Sequence, residues 1–184
     1  MSILKLENGQ ILHRLSDIQQ ELATLDIQIN HYDLETTLTF PDLLVRDVFS
    51  QQDKQKILQS HHQDFELLQQ QAGYFSYDLW VLHPGLPNLY ALIATHSRYH
   101  THQDAEAMCV LAGEGLFGFA QPRGDQLQLQ VQPGDYIHIP AGVEHWFSLS
   151  ASLHLKAWRY FTSADGWVPQ YTSTGLEKFL KKKC

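Results

Sequence analysis

Short segments rich in aromatic and β-branched residues, separated by turn signals, make up the sequence from residue 74 onward. The turn signals are Pro84-Gly85, Gly113-Glu114-Gly115, Gly124-Asp125, Pro133-Gly134 and Pro140-Ala141-Gly142. The segment Gln126–Gln132 alternates apolar and polar residues as a half-buried strand does, and Tyr136–Ile139 and Leu153–Phe161 are two further predicted strands. Strands at such close spacing are typical of an antiparallel barrel or jelly roll. We therefore predict a mainly β fold with a jelly-roll-like barrel.

Two helices are predicted ahead of these strands. Ser16 and Gln19 have the spacing of a capping box, which would start a helix over Asp17–Leu25. A second helix is predicted over about Ser50–Ala72, because its apolar residues recur at helical spacing and Gly73 would end it. The barrel is thus expected to carry helices in its N-terminal flank.

The sequence shows no internal repeat and no linker that would separate two domains. We predict one domain over residues 1–184, with a mixed α/β flank at 1–73 and the barrel core at 74–165. Residues 166–184 form the predicted tail, with a possible short helix over Thr172–Leu180.

Composition excludes several classes of protein. The formal net charge of −7 argues against nucleic acid as a partner. No apolar stretch approaches the roughly 18 residues that a membrane-spanning helix needs. The only cysteines, Cys109 and Cys184, argue against a disulfide framework. We expect a cytoplasmic monomer that binds neither nucleic acid nor membrane.

Three histidines and one carboxylate form the candidate metal site. His100 and His102 are two positions apart, which places both imidazoles on one face of a strand. Glu106 can reach the same point if the chain bends after the histidine pair, and His145 follows the Pro140-Ala141-Gly142 turn on a strand that would return past the first. Three neutral nitrogens and a carboxylate suit iron, nickel, cobalt, manganese or zinc. Four protein ligands leave positions open on an octahedral ion.

A regular pattern of spacing extends beyond these candidate ligands. Gly113 follows Glu106 after six residues, and Gly134 precedes Pro140, Gly142 and His145 in a second pattern. Together they resemble the two motifs of the cupin superfamily, H-x-H-x3-E-x6-G and G-x5-P-x-G-x2-H. The resemblance implies a cupin barrel with one metal site.

The resemblance extends to one family, acireductone dioxygenase, over nearly the whole chain. The segments that carry it are Ile18–Leu22, Gly73-Tyr74 with Asp78, His100–Glu106, Gly113–Phe117, Gly134–Phe147, Lys156–Phe161 and Trp167. The resemblance implies a methionine-salvage enzyme with one Fe(II) or Ni(II) per chain, which oxidises acireductone (1,2-dihydroxy-3-keto-5-methylthiopentene) with dioxygen. Iron-loaded members form 4-methylthio-2-oxobutanoate and formate, whereas nickel-loaded members form 3-methylthiopropanoate, formate and carbon monoxide.

The family match also implies roles for three further residues. Arg159 would anchor the chelated anion as a fixed cation, although composition alone favours a surface ion pair with one of the twenty acidic residues. Phe147 and Trp167 would line the apolar wall around the substrate tail, and plain barrel core is the alternative for both.

The sequence departs from the family pattern at two positions. Met108 stands where the family has arginine, in Glu106-Ala107-Met108, and His96 stands where the family has an aromatic residue. Two alternatives therefore stay open. One is another metal-dependent cupin dioxygenase or isomerase with a different small substrate, and the other is a non-catalytic cupin sensor.

Overall fold

The computed structural model describes residues 2–34, 41–122 and 124–174. Within these ranges the chain forms twelve strands, which are β1 (Ile3–Leu6), β2 (Ile11–Leu12), β3 (Gln28–His31), β4 (Ser76–Leu82), β5 (His100–Thr101), β6 (Glu106–Gly113), β7 (Gly115–Ala120), β8 (Gln126–Val131), β9 (Asp135–Ile139), β10 (His145–Leu149), β11 (Leu155–Phe161) and β12 (Gln170–Tyr171). The helices are α1 (Leu15–Leu22) with a 3₁₀ turn at Ala23–Leu25, α2 (Pro41–Leu44), α3 (Gln51–Ser60), α4 (His62–Ala72) and α5 (Leu89–His96).

The strands pair into two antiparallel sheets. One has seven strands in the order β12-β5-β10-β7-β8-β1-β2, and the other has five in the order β3-β9-β6-β11-β4. The strands β8, β9 and β11 fall within a residue or two of their predicted bounds. The mainly β, jelly-roll-like fold predicted from the sequence is confirmed.

The inward faces of the two sheets enclose one apolar core. On β8 the buried residues Leu127, Leu129 and Val131 alternate with half-buried glutamines, as a strand with one face in the core requires. Phe117 and Phe119 of β7 are fully buried in the same core, where each side chain contributes about 2–3 kcal/mol of burial free energy. This core fills one part of the barrel. The buried histidines His100, His102 and His145 lie at another part, near the start of β6.

Residues before position 74 contribute to both sheets. The strand β1 pairs with β8 and β2, and β3 pairs with β9 on the opposite sheet. Ser2 donates a hydrogen bond from Oγ to Oδ2 of the fully buried Asp135, at 2.7 Å. The segment that precedes β1 is therefore hydrogen-bonded to β9 through Ser2.

The capping box predicted for α1 is wrong. The helix begins at Leu15, so Ser16 lies inside its first turn, and Arg14 occupies the capping position without a side-chain hydrogen bond. The Gln19 side chain instead donates to the backbone carbonyl of Ile29 on β3, at 2.8 Å. The Gln19 side chain, which the predicted capping box assigned to the start of α1, is thus used in a contact with β3 instead.

The single helix predicted over Ser50–Ala72 is also wrong, because the chain breaks at His61 into α3 and α4. Ser50 and Asp53 form a capping box at the start of α3. Gly73 ends α4 with a φ of +72°, as expected. Most of the possible helix over Thr172–Leu180 lies outside the described residues.

The break at His61 follows from packing against the outer face of the five-stranded sheet. Its ring stacks on Trp158 of β11 with centroids 3.7 Å apart, and its Nε2 accepts a hydrogen bond from the Tyr160 hydroxyl at 2.9 Å. A second apolar cluster surrounds this pair and includes Leu44, Phe49, Ile57, Phe65, Tyr74, Ala107, Cys109 and Leu111. Cys109 is buried in this cluster, where it serves as a small apolar residue.

His61 should make folding stability depend on pH. Burial lowers the pKa of His61 from 6.5 to about 4, against the opposing effect of Asp64. The unfolded chain therefore binds a proton more readily, so the contribution from neutral His61 is complete above pH 6.5 and is lost as the pH falls towards 4. We expect this residue alone to reduce the free energy of unfolding by about 2 kcal/mol between pH 7 and pH 5.

Urea denaturation of the wild type and of His61→Gln at both pH values measures this effect. The variant keeps a side-chain acceptor for Tyr160 but does not titrate, so its loss of stability on acidification should be smaller by that amount. Equal losses in the two proteins would contradict the assignment to His61.

None of the helices in the described parts of the chain combines the length and hydrophobicity needed to span a bilayer.

Candidate metal centre

Three buried histidines meet at one end of the barrel. His100 of β5 and His145 of β10 are directly paired across the seven-stranded sheet, and His102 follows β5 by one residue. One ring nitrogen from each lies within 4.8 Å of those of the other two. Their exposed fractions are 0%, 1% and 5%, so the nitrogens are withdrawn from solvent. The structure brings together the three histidines predicted from the spacing.

Glu106 reaches this cluster from the opposite sheet. Residues 103–105 bend the chain after His102, and Glu106 is the first residue of β6. Its Oε2 lies 3.2 Å from Nε2 of His102 and 3.1 Å from Nε2 of His145. The backbone N–H of Gly142 donates to the His102 carbonyl at 2.9 Å, and the φ of +79° at Gly142 suits glycine. The turn before β10 is thereby attached to the bend.

Backbone carbonyls set the orientation of two imidazoles. Nδ1 of His100 lies 2.6 Å from the Arg98 carbonyl, and Nδ1 of His145 lies 2.9 Å from the Val143 carbonyl. A carbonyl only accepts, so each Nδ1 carries the proton and each Nε2 is directed to the cluster with a lone pair when the ring is neutral. Nε2 of His100 is buried with no hydrogen-bond partner among the described residues. An orphaned acceptor beside a carboxylate fits a metal cation.

The protonation states of the site residues favour the binding of a cation. Burial lowers the pKa of His100 to about 4, so its ring is neutral at neutral pH. Burial alone would raise the pKa of Glu106, but the adjacent rings of His102 and His145 hold it below its ordinary value. Burial would lower the pKa of His145, yet the Glu106 carboxylate raises it. The carboxylate thus attracts positive charge, which a proton on His145 or a metal ion can supply.

Arg159 lies on the inner face of β11, at the same end of the barrel. Its Nε and Nη2 donate to the two carboxylate oxygens of Asp78 on β4, at 2.9 and 2.5 Å. Three rings surround the guanidinium, those of Trp80 at 4.9 Å and of Phe161 and Trp167 at 5.3 Å from its central carbon. The ion pair expected from composition therefore exists, and it fixes an arginine that retains Nη1 for a ligand.

Phe147 is joined to this arrangement through Trp80, and Trp167 is joined to it through Phe161. Phe147 lies two residues after His145 on the inner face of β10, and its ring is 5.4 Å from that of Trp80. Trp167 packs on Phe161 at 5.1 Å, and its Nε1 is buried with no partner in the described part of the chain. An unpaired indole N–H beside Arg159 is available to a ligand oxygen.

The two departures from the family pattern, Met108 and His96, lie beside residues of the candidate site. Met108 is fully buried and is the direct neighbour of Arg159 across the β6–β11 pair. His96 ends α5, and its Nδ1 donates to the Leu92 carbonyl at 2.8 Å. Its ring lies 6.2 Å from His100 and 5.9 Å from Trp80. Met108 therefore borders Arg159, and His96 borders the histidine cluster.

Sequence reasoning did not identify Trp80. The signal was present, because Asp78, Trp80 and Leu82 alternate on β4 and must share a face. What the sequence lacked was the pairing of β4 with β11, which sets Asp78 directly opposite Arg159.

Two antiparallel sheets that enclose three histidines and a glutamate define a metal-dependent protein of the cupin type. A profile of the ARD/ARD' family matches residues 10–169. The acireductone dioxygenase of Trichormus variabilis is 53% identical over 182 residues, which cover 99% of this chain and 100% of the relative. That of Trichodesmium erythraeum is 47% identical over 96% of this chain and 97% of its own length. The chain belongs to the acireductone dioxygenase family.

A solved structure supports the fold. Acireductone dioxygenase from Bacillus anthracis, with a cadmium ion in its active centre, superposes with a TM-score of 0.85 at 23% identity. The match covers 93% of this chain and 98% of that one. The cupin fold and the family predicted from the sequence are confirmed. The family consists of metal-dependent oxidoreductases of methionine salvage that use iron or nickel and act on a small molecule and dioxygen.

Proposed function

We propose that this chain is an Fe(II)- or Ni(II)-dependent acireductone dioxygenase that holds one ion through His100, His102, Glu106 and His145. The observation that carries the proposal is the convergence of three buried imidazoles and one carboxylate within a chain of this family. Membership in the family favours this interpretation over a different cupin enzyme or a non-catalytic sensor.

The four side chains match the requirements of a first-row divalent ion. Carbonyls fix the rings of His100 and His145, so those nitrogens need little reorganisation to bind a cation. Glu106 adds one negative charge. When bound, the ion supplies Lewis acidity and a template for a chelating enediolate and dioxygen. The electrons for oxygen reduction come from the enediolate itself.

Arg159 is the proposed anchor of the substrate anion. Its side chain is 22% exposed, and Asp78 and three rings hold the guanidinium in one orientation, so it presents a fixed cation to a ligand. The unpaired Nε1–H of Trp167 is a second donor beside it. Together these groups would bind an oxyanion and keep its reacting carbons in place while the surrounding rings exclude water.

Phe147 and the ring of Trp167 provide the apolar part of the proposed site. Phe147 is 2% exposed and lies one step further into the barrel than His145. A methylthio tail that extends from a chelated head group in that direction would bury apolar surface against Phe147. Different residues of the proposed site would thus recognise the head and the tail.

Three further properties belong to this proposal. The chain acts as one domain, which is supported by the pairing of β1 and β3 with strands of the barrel core. It works in the cytoplasm, which accords with its two cysteines, and it works as a monomer. Its net charge of −7 argues against a nucleic-acid partner.

Oxygen uptake tests the proposed activity. Protein stripped of metal and reconstituted with Fe(II) or Ni(II) should consume dioxygen when acireductone is supplied. Formate should appear with both metals, and carbon monoxide only with nickel. Decay of acireductone at the rate of the metal-free control would contradict the proposal.

Replacing Asp78 should weaken substrate binding through Arg159. In Asp78→Asn the guanidinium loses its charged, two-point partner and hence its fixed orientation. We expect KM for acireductone to rise by about tenfold with a smaller change in kcat, because the guanidinium binds the anion throughout the reaction. Asp17→Asn, which removes the partner of the exposed Arg14, is the control. An unchanged KM in Asp78→Asn would contradict the positioning role.

A further inference from the structure

The place of Trp80 on β4 sets its depth in the barrel. It lies on β4 two residues beyond Asp78 on the same inner face, and its direct neighbour on β11 is Ala157. It is therefore one step further into the barrel than the Asp78–Arg159 pair, as Phe147 is one step further in than His145. The Trp80 side chain packs in the apolar core at this level. Its exposed fraction is 9%.

The indole of Trp80 is adjacent to three side chains of the proposed site. It lies 4.9 Å from the guanidinium carbon of Arg159, 5.4 Å from the Phe147 ring and 5.9 Å from the His96 ring. Arg159 is the proposed anchor of the head group, and Phe147 is the proposed wall of the tail. Trp80 thus contacts both the proposed head-group anchor and the proposed tail wall, and it belongs to the apolar core.

We propose that Trp80 determines which substrates the site accepts by setting the length of apolar tail that fits beneath the chelated head group. The inference rests on the proposed function and adds to it the residue that limits the substrate class. A head group fixed at Arg159 and the histidine cluster leaves its tail to run inward along Phe147, where it ends against the indole. Tails beyond that length must displace a large, well-packed ring.

Tail-length preference in turnover is the first test. The ratio of kcat/KM for an acireductone with a longer unbranched tail to that for the methylthio substrate should rise about tenfold or more in Trp80→Leu. Trp158→Leu is the matched control, because it removes a buried tryptophan from the opposite face of the same sheet. A ratio is independent of the amount of folded enzyme, so general destabilisation leaves it unchanged. Equal ratios in wild type and Trp80→Leu would overturn the inference.

Calorimetric binding provides a readout that does not need turnover. Unbranched 2-oxo acids of increasing length chelate through two oxygens but are not oxidised as enediols are. On the Ni(II)-loaded protein, affinity should increase with tail length to an optimum and then fall, and Trp80→Leu should move that optimum to longer tails. An optimum at the same length in both proteins, or no binding of any 2-oxo acid, would overturn the inference. A shifted optimum without oxygen uptake would instead support the role of Trp80 and contradict the proposed activity.

Discussion

His145→Ala is expected to lose its Fe(II) or Ni(II) on gel filtration and to show no oxygen uptake above the metal-free background. The substitution removes one of four ligands and leaves the Glu106 carboxylate with only His102 within about 3 Å among the histidines of the cluster. Loss of an outer partner alone costs metal sites about 10–100-fold in affinity, so loss of a ligand should exceed 100-fold. Metal analysis of the eluted protein, together with an oxygen electrode, measures both effects.

His138→Ala is the matched control. His138 lies on β9 next to the Glu106 strand, but it faces away from the inward-pointing Ile137 and Ile139. The variant should keep the metal content and oxygen uptake of the wild type. Full metal content in His145→Ala would show that the ligand set is wrong.

Arg159→Gln is expected to lower kcat/KM for acireductone by about 10²–10³-fold while the metal content stays at the wild-type level. The magnitude corresponds to the roughly 2–5 kcal/mol that it costs to truncate one partner of a buried, hydrogen-bonded charge pair, here the guanidinium and the substrate anion. Metal retention should be unaffected, because the described contacts of Arg159 are with Asp78 and three aromatic rings and not with the histidine cluster. Steady-state kinetics on metal-matched samples give the measurement.

Two further variants test whether the charge and the geometry of Arg159 are both required. Arg159→Lys keeps the charge but loses the two-point contact with Asp78, so its kcat/KM should lie between those of wild type and Arg159→Gln. Arg14→Gln removes an arginine whose side chain is 82% exposed and should have no effect. Wild-type kcat/KM in Arg159→Gln would contradict the anchoring role and leave Arg159 as a structural partner of Asp78.

The parts of the fold that local patterns encode were predictable. The alternation in Gln126–Val131 specifies a strand with one buried face, and the turn signals delimit its neighbours. The strands β1 and β3 were not predicted, because four residues that pair with distant strands carry too little periodicity of their own. The break at His61 likewise depends on Trp158 and Tyr160, about 100 residues further along the chain.

The candidate site likewise has a part that was predictable from local sequence and a part that was not. Two imidazoles two positions apart share a strand face, so the His100 and His102 pair could be placed from the sequence. The bend that carries Glu106 across to the other sheet was required by the prediction, and the structure shows it. The wall formed by Trp80 was not predicted, because it depends on β4 pairing with a strand about 80 residues later.

Anomalous diffraction at the metal absorption edge, from crystals of protein loaded with Fe(II) or Ni(II), tests the central claim most directly. We expect one strong peak per chain, between the imidazoles of His100, His102 and His145 and the carboxylate of Glu106. A peak that lies elsewhere, or one that omits Glu106 from its surroundings, would contradict the proposed metal centre.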